Sequence, residues 1–433
     1  MQRRIIQVDE KVTFLQGLPL SFQHLFAMFG ASVLVPYLFN QAAGEQIIDP
    51  ALVLLMNGIG TLIFLVVGKG KAPAYLGSSF AFIGPAISII TSSASHAENF
   101  SKALGGFIVS GALFIIVAFI IGKVGTRWLD VVLPPAAMGP IVALIGLELA
   151  YTATDMAGLF PNENGIFNTD AIIVSMFTLI VVILGSVLFR KFLGVIPVLI
   201  AVVAGYILAA LMGMVDFSVI TEGRQVFAVP RFTLPIFDIN AIMIIAPATL
   251  VVLSEHIGHM FVTSKIVGRD LTKDPGLHRT LFSDGFSTSL SGLCGSVPTT
   301  TYGENMGVMA ITGVYSVWVI GGAAVISIVV AFFGYLSGAI SSIPQPVMGG
   351  ISILLFGVIA SSGIRMLVES KVDYSKSRNL ILTAVVFIAG VSGVSVKIGE
   401  VGLQGMALAT VVGIILSLLF YVFDKLNWAN DKD

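Results

Sequence analysis

The sequence predicts an all-α polytopic membrane protein, and three observations carry that prediction. Of 433 residues, 56% are hydrophobic and only 11% charged, about half the charged share of a soluble chain this long. Mean hydropathy is +0.98. The apolar residues gather in recurring blocks of about 18–22, the length that crosses a bilayer as a helix. The basic residues then sort by side. With the N-terminus placed in the cytoplasm, only Lys102, Arg224, Arg231 and Lys397 of the 23 Lys and Arg fall outside, and a bias that large sets the orientation.

The same composition excludes other classes. A net charge of −1 gives nucleic acid nothing to bind. The one cysteine, Cys294, rules out an internal disulfide framework and a cysteine-based zinc site. The opening stretch MQRRIIQVDEKVTFLQG lacks the apolar core and small-residue cleavage site of a signal peptide. No GxxxxGK[ST] loop is present, which argues against an ATP-driven pump.

Fourteen apolar segments are expected, at roughly 18–39, 50–68, 74–93, 103–122, 130–150, 170–189, 194–215, 239–264, 280–294, 298–312, 315–337, 345–367, 379–396 and 404–424. An odd count would scramble the charge bias, so both termini belong in the cytoplasm. Two of these segments resemble each other: LPPAAMGPIVALIGLELA (133–150) and IPQPVMGGISILLFGVIA (343–360). At an offset of 210 residues, Pro134, Met138, Gly139 and Ile141 match Pro344, Met348, Gly349 and Ile351. Chance is the alternative, because these residue types are common in membrane helices. The offset is near half the chain and separates the copies by seven spans, an odd number. The halves, 1–215 and 216–433, would therefore face opposite ways, as in many secondary transporters.

Two spans read as broken. APAYLGSSFAFIGPA (72–86) and GSVPTTTYGENMGVMAITG (295–313) crowd glycine, proline and hydroxyl residues into membrane depth, in corresponding places of the two halves. Such residues permit short extended stretches and satisfy freed backbone groups. The amides exposed at such a break are donors for a ligand's carbonyl oxygens. Ordinary loops with apolar flanks would give the same composition.

The eighth span contains SEHIGH. Glu255 lies ten residues before Lys265, about 15 Å along a helix and so near the middle of a ~30 Å hydrocarbon core. A carboxylate there costs at least ~2.5 kcal/mol on insertion scales. His259 sits at i+4 on the same face; His256 is turned about 100° away and is expected to pack. Glu304 follows in the second broken span. Two carboxylates and an imidazole around a cavity would hold a polar solute and a proton, although pairing inside the bundle would also account for each. His24 divides evenly between the two readings, and Glu148 is expected at the outer interface. A metallopeptidase would need H-E-x-x-H or its reverse; here the histidines are three apart, with Glu255 ahead of both. A channel would need a selectivity ring, and scattered single carboxylates do not make one.

At these residues the sequence resembles the nucleobase–ascorbate transporter family, and within it the bacterial uracil permease branch. The segments that carry the resemblance include SFQHLFAMFGASVLVP, GKGKAPAYLGSSFAF, LPPAAMG, SEHIGH, DPGLHR and TTYGENMGVMAIT. The family signature reads here as Glu304, Asn305, Gly307, Thr312 and Gly313, and Gln23–His24 matches a second motif. The resemblance implies fourteen spans in two inverted seven-span repeats. A core domain (spans one to four and eight to eleven) would hold substrate, and a gate domain (five to seven and twelve to fourteen) would move against it.

It also implies proton-coupled uracil uptake in a bacterial cytoplasmic membrane, no enzymatic activity, no metal, and no cofactor beyond the coupling proton. Membrane lipid is an implied partner, and a homodimer is open to it. By motif, Glu255 and Glu304 would bind the pyrimidine ring, and the backbone amides of Phe80 and Gly303 would meet its carbonyl oxygens. Tyr302 would line the pocket, and His259 would bond to Glu255 or to substrate. Proton coupling would fall to Glu304, His259 and Glu255. Glutamate at 304 favours uracil over the xanthine and urate relatives, and an anion exchanger of similar architecture should place basic charge at its site. Gly313 stands where a basic residue is common in this branch.

Overall fold

The computed structural model describes residues 5–162, 164–221, 225–398 and 401–428. Arg3, Arg4, Arg224 and Lys432, which enter the charge bias, lie outside these. The first half runs α1 (Phe14–Ala43), α2 (Pro50–Val67), β1 (Leu76–Ser78), α3 (Ile83–Ile90), α4 (His96–Val124), α5 (Arg127–Val132) and α6 (Pro135–Glu148). It continues through α7 (Ala150–Met156), α8 (Thr169–Leu188), α9 (Pro197–Leu211) and α10 (Ser218–Thr221). The second half holds α11 (Ile239–Val267), α12 (Leu277–Cys294), β2 (Thr299–Thr301), α13 (Gly303–Thr312), α14 (Val317–Ala331) and α15 (Gly334–Ser341). Then come α16 (Gln345–Glu369), α17 (Ser377–Val391), β3 (Ser395–Ile398), β4 (Val401–Gln404) and α18 (Gly405–Lys425).

Eight helices among the described residues are long and apolar enough to cross a membrane. Others are shorter but apolar, such as α9, α14 and α17. Large apolar side chains remain exposed on their outer faces, among them Phe119, Ile180 and Leu418. A hydrocarbon solvent makes that exposure favourable where water would not. Local chemistry sets the ends. Asp49 accepts a hydrogen bond from Ala51 N at the start of α2, with Pro50 at the first helical position. Asp238 does the same for α11 through Ala241 N, and α11 ends at Gly268 in the left-handed conformation. Gly313 likewise ends α13 at φ 70°, so the departure from the family signature falls on a helix-terminating turn that glycine adopts without steric cost.

The structure refines two of the expected segments. The fifth segment is three helical pieces, α5 to α7, broken at Leu133–Pro134 and Leu149. The thirteenth stops at Val391, and the residues after it form a hairpin, β3 with β4. The alternating pattern of SVKI and VGLQ carries that signal, but the expected span extended to residue 396, into the first strand.

Helix contacts recur in exchanged pairs. α4 packs on α12 and α11, as α14 packs on α2 and α1. α8 lies against α9 as α17 lies against α18, and α6 packs on α17 as α16 packs on α8. Two elements meet their own counterparts. β1 pairs antiparallel with β2, in the register Leu76↔Thr301, Gly77↔Thr300, Ser78↔Thr299. α6 packs on α16 backbone to backbone: Gly139 abuts Gly363 while Gly146 abuts the Phe356 carbonyl. One number rises as the other falls, so these helices run antiparallel. A side chain at either of these α6 glycines would force them apart, the small-residue logic of membrane helix packing.

Candidate functional site

The two broken spans meet at the β1–β2 pair. Beyond the ladder, Ser79 N donates to Pro298 O (2.8 Å) and Tyr302 N to Tyr75 O (3.2 Å). Side-chain hydroxyls serve the remaining backbone groups. Leu76 N donates to Thr61 Oγ1 (2.9 Å), Ser78 Oγ to Ser32 O (3.0 Å), and Thr288 Oγ1 to Thr299 O (2.8 Å). Extended backbone at membrane depth is tolerated because protein groups replace water. Each strand then leads into a helical turn, Phe80–Phe82 on one side and α13 on the other, and neither N-cap residue, Ser79 or Tyr302, covers the first-turn amides with its side chain. Those N–H groups have no partner within their own helix.

α11 brings its polar face to this junction. His259 Nδ1 shares a hydrogen bond with Thr301 Oγ1 at 3.0 Å. Its Nε2 lies 3.9 Å from Glu255 Oε1, which is an electrostatic contact and too long for a hydrogen bond. Of the two partners the resemblance implied for His259, Glu255 or substrate, Glu255 stands out of hydrogen-bonding reach, and the histidine's Nδ1 is tied to the strand. Glu255 and His259 keep 26% and 16% of their side-chain surface accessible although they sit deep in the bundle; they line an internal cleft. Glu304, in the first turn of α13, is near enough for its charge to be felt at Glu255. Gly303 faces the imidazole of His259.

Aromatic rings close the rest. Phe80 stacks on Tyr302 (centroids 6.4 Å) and meets Phe356 of α16 edge-on (6.3 Å). Tyr302 donates its hydroxyl to Ser78 O at 2.9 Å, and its ring covers Gly77. Tyr302 thus braces the strand pair, with its polar end turned into the backbone. The structure brings together all six residues singled out from the sequence: Phe80, Glu255, His259, Tyr302, Gly303 and Glu304.

Three polar contacts nearby matter as well. His24 Nδ1 donates to Asn305 Oδ1 at 2.9 Å, joining α1 to α13. His256, expected to pack, is fully buried, but it donates Nδ1–H to Asp284 Oδ2 at 2.6 Å. Sequence reasoning passed over Asp284. Its signal was a lone carboxylate in LFSDGFSTSL, inside a predicted span, where an intramembrane acid is a functional candidate by default. Glu148, at the end of α6, accepts from Met406 N at 3.1 Å.

Comparison with known proteins bears on what this arrangement does. Residues 15–399 match the Permease family of xanthine and uracil permeases. The chain belongs to the nucleobase–ascorbate transporter family. The family's members are transporters, so this is a multi-pass membrane transporter and not an enzyme. It is 54% identical to a uracil permease of Paenibacillus larvae, with all of both chains covered, and 57% identical to one of Escherichia coli, covering 99% of this chain and 96% of the relative. A uracil permease of Bacillus caldolyticus is 46% identical over 97% of this chain and 95% of its own. Among solved structures, the transmembrane domain of the cyanobacterium bicarbonate transporter BicA superposes with TM-score 0.65 at 16% identity, covering 95% of this chain and 100% of that one. Murine Solute Carrier 26 family member A9, in the inward-facing state, does so with TM-score 0.71 at 12% identity, covering 96% and 69%. At such identities the likeness speaks for the shared transporter's fold alone.

Proposed function

We propose that this transporter carries uracil with protons into the cell across the bacterial cytoplasmic membrane, by alternating access. The observation that carries the reading is the convergence of two uncapped half-helix starts, at Phe80 and Gly303, on Glu255, His259 and Glu304. Uracil is flat and presents two N–H donors and two carbonyl acceptors. Carboxylates accept from the first pair, and backbone amides donate to the second. An analogue that lacks one of these donors would leave a buried carboxylate unpaired, which is the strong route to discrimination. The names of the 54–57% identical relatives support the same substrate. Protonation of Glu304, or of the Glu255–His259 pair, would favour the loaded state that moves inward.

The moving parts follow from an inverted repeat of seven spans each, with both termini in the cytoplasm. The exchanged helix contacts, and the antiparallel pairing of β1 with β2 and of α6 with α16, support that reading. The core would be spans one to four and eight to eleven; the gate, spans five to seven and twelve to fourteen. An apolar cavity of about 480 Å³ lies between α1, α9 and α15, where core and gate would meet.

A xanthine or urate permease of the same family is the second reading, and Glu304 counts for uracil. Anion exchange is disfavoured because Glu255 and Glu304 have no Lys or Arg ion partner among the described residues. The deciding experiment is radiolabelled uracil uptake into proteoliposomes with and without an inward proton gradient, competed by xanthine. Gradient-stimulated uptake that xanthine does not block is expected. Uptake of xanthine instead would overturn the substrate, and uptake indifferent to the gradient would overturn the coupling.

A further inference from the structure

We infer that the buried His256–Asp284 pair is a positioning device for the substrate site: it seats β2 against α11 and thereby sets where the α13 amides lie relative to Glu255. The inference rests on the uracil reading for its kinetic consequence, though not for its structural one.

The geometry runs outward from Asp284. Its Oδ2 accepts from His256 at 2.6 Å and from Thr300 Oγ1 at 3.4 Å. Thr300 is the central residue of β2, opposite Gly77. The next residue, Thr301, bonds to His259 at 3.0 Å, and Gly303 and Glu304 follow. Successive strand residues project to opposite sides; Thr301 meets the cleft histidine, while Thr300 meets the acid behind it. β2 is therefore held at two consecutive residues by two imidazoles of one helix, directly by His259 and through Asp284 by His256. His256 adjoins Glu255 in sequence, so locking its ring fixes the rotation of α11 that aims Glu255 into the cleft. Phe64 packs edge-on against the His256 ring and completes its seat.

Stability is a poor reason for such a pair. Both side chains are wholly buried, and burying an ion pair costs about as much as its attraction returns. The pair is also incompletely satisfied, since His256 Nε2 and Asp284 Oδ1 have no partner among the described residues. An apolar pair of the same size would pack the helices as well. What it would lack is a short, directional link between α11, α12 and Thr300, and a site that reads uracil by fixed donors needs them held to within about half an ångström.

The test uses the full-length protein with Asp284→Asn, His256→Asn and His256→Leu. Asparagine at 284 keeps an acceptor oxygen and removes the charge. Asparagine at 256 keeps an N–H near the position of Nδ1, and leucine removes it. Two readouts are taken: uracil uptake kinetics in proteoliposomes, and amide hydrogen exchange of residues 299–304 in the purified protein. Asp284→Asn is expected to raise KM about tenfold, the scale of one charge-assisted hydrogen bond, with faster exchange in β2 and little change in melting temperature. His256→Leu should match it, and His256→Asn should recover most of both readouts. Unchanged KM and exchange would overturn the inference, as would a loss of Vmax that tracks melting temperature with KM constant. Should Asp284→Asn fail to fold, the contrast between the two His256 variants decides by the same readouts. A wild-type protein that does not take up uracil would instead overturn the substrate reading, and the exchange data would still decide whether the pair holds β2.

Discussion

The first broken span, Leu76–Ile90, passes from its strand through a single tight turn into a short helix with no acidic residue, whereas the second, Thr299–Thr312, enters its helix directly and carries Glu304 in the first turn. Both present uncapped amides to the same cleft, and each strand is the other's hydrogen-bonding partner. The ionisable groups nevertheless stand on one side: Glu304 on the second span, and Glu255 and His259 on α11, which packs beside it. The first span contributes Phe80 and backbone. The two strands thus form matching frames, and the ionisable chemistry stands beside one of them. An asymmetric solute such as a nucleobase needs that, because its donors and acceptors do not repeat about a two-fold axis.

Variants can break this contrast, and those on the charged side should do the most harm. Glu255→Gln replaces a carboxyl acceptor with an amide and should weaken uracil binding by roughly a hundredfold, read as a lost ligand-induced rise in melting temperature; wild-type affinity would remove Glu255 from the site. Glu304→Gln should leave slower uptake that no longer responds to an inward proton gradient. Full gradient dependence in that variant would move coupling elsewhere.

On the uncharged side the damage should be mechanical. Gly77→Ala pushes a methyl group into the Tyr302 ring, and overpacking of this kind costs about 1–3 kcal/mol. A lower melting temperature with only a few-fold weaker binding is expected, and a loss as large as that of Glu255→Gln would erase the distinction between the spans. The smallest effect belongs outside the membrane. Asp9 pairs with Arg269 at 2.6 Å, and the guanidinium holds its carboxyl below the usual range. The stabilisation is present above the ordinary carboxylate pKa and is lost as pH falls through the lowered one. Exposed pairs contribute little, so Asp9→Asn should leave uptake unchanged, with any small difference in melting temperature fading progressively as pH falls below about 4.

Much of this was legible in the sequence, for physical reasons. Spans announce themselves because hydrocarbon tolerates few charges, and the breaks at 72–86 and 295–313 announce themselves because glycine, proline and threonine cluster where a helix should continue. Glu255 and His259 share a face by helical spacing alone. The register Gly77↔Thr300 was not legible, since it joins residues more than 200 positions apart through a three-residue ladder. The His256–Asp284 bond was hidden because it joins two helices whose relative rotation residue spacing does not give. Helical spacing turned His256 away from Glu255 correctly, yet could not say what waited on the other side. The β3–β4 hairpin was missed because its alternating residues are apolar enough to pass for the end of a span.

The strand pairing has an electrical consequence. Because β1 and β2 are hydrogen-bonded to each other, the helical turns that follow them begin close together, each with the positive end of its peptide dipoles at the cleft. An α-helix carries about half an elementary charge at that end. Two such ends supply a standing positive potential that no titration can remove, and Glu255 and Glu304 sit within it. The cleft can therefore host a carboxylate with no lysine or arginine partner among the described residues, and its charge balance shifts when a glutamate or His259 gains or loses a proton.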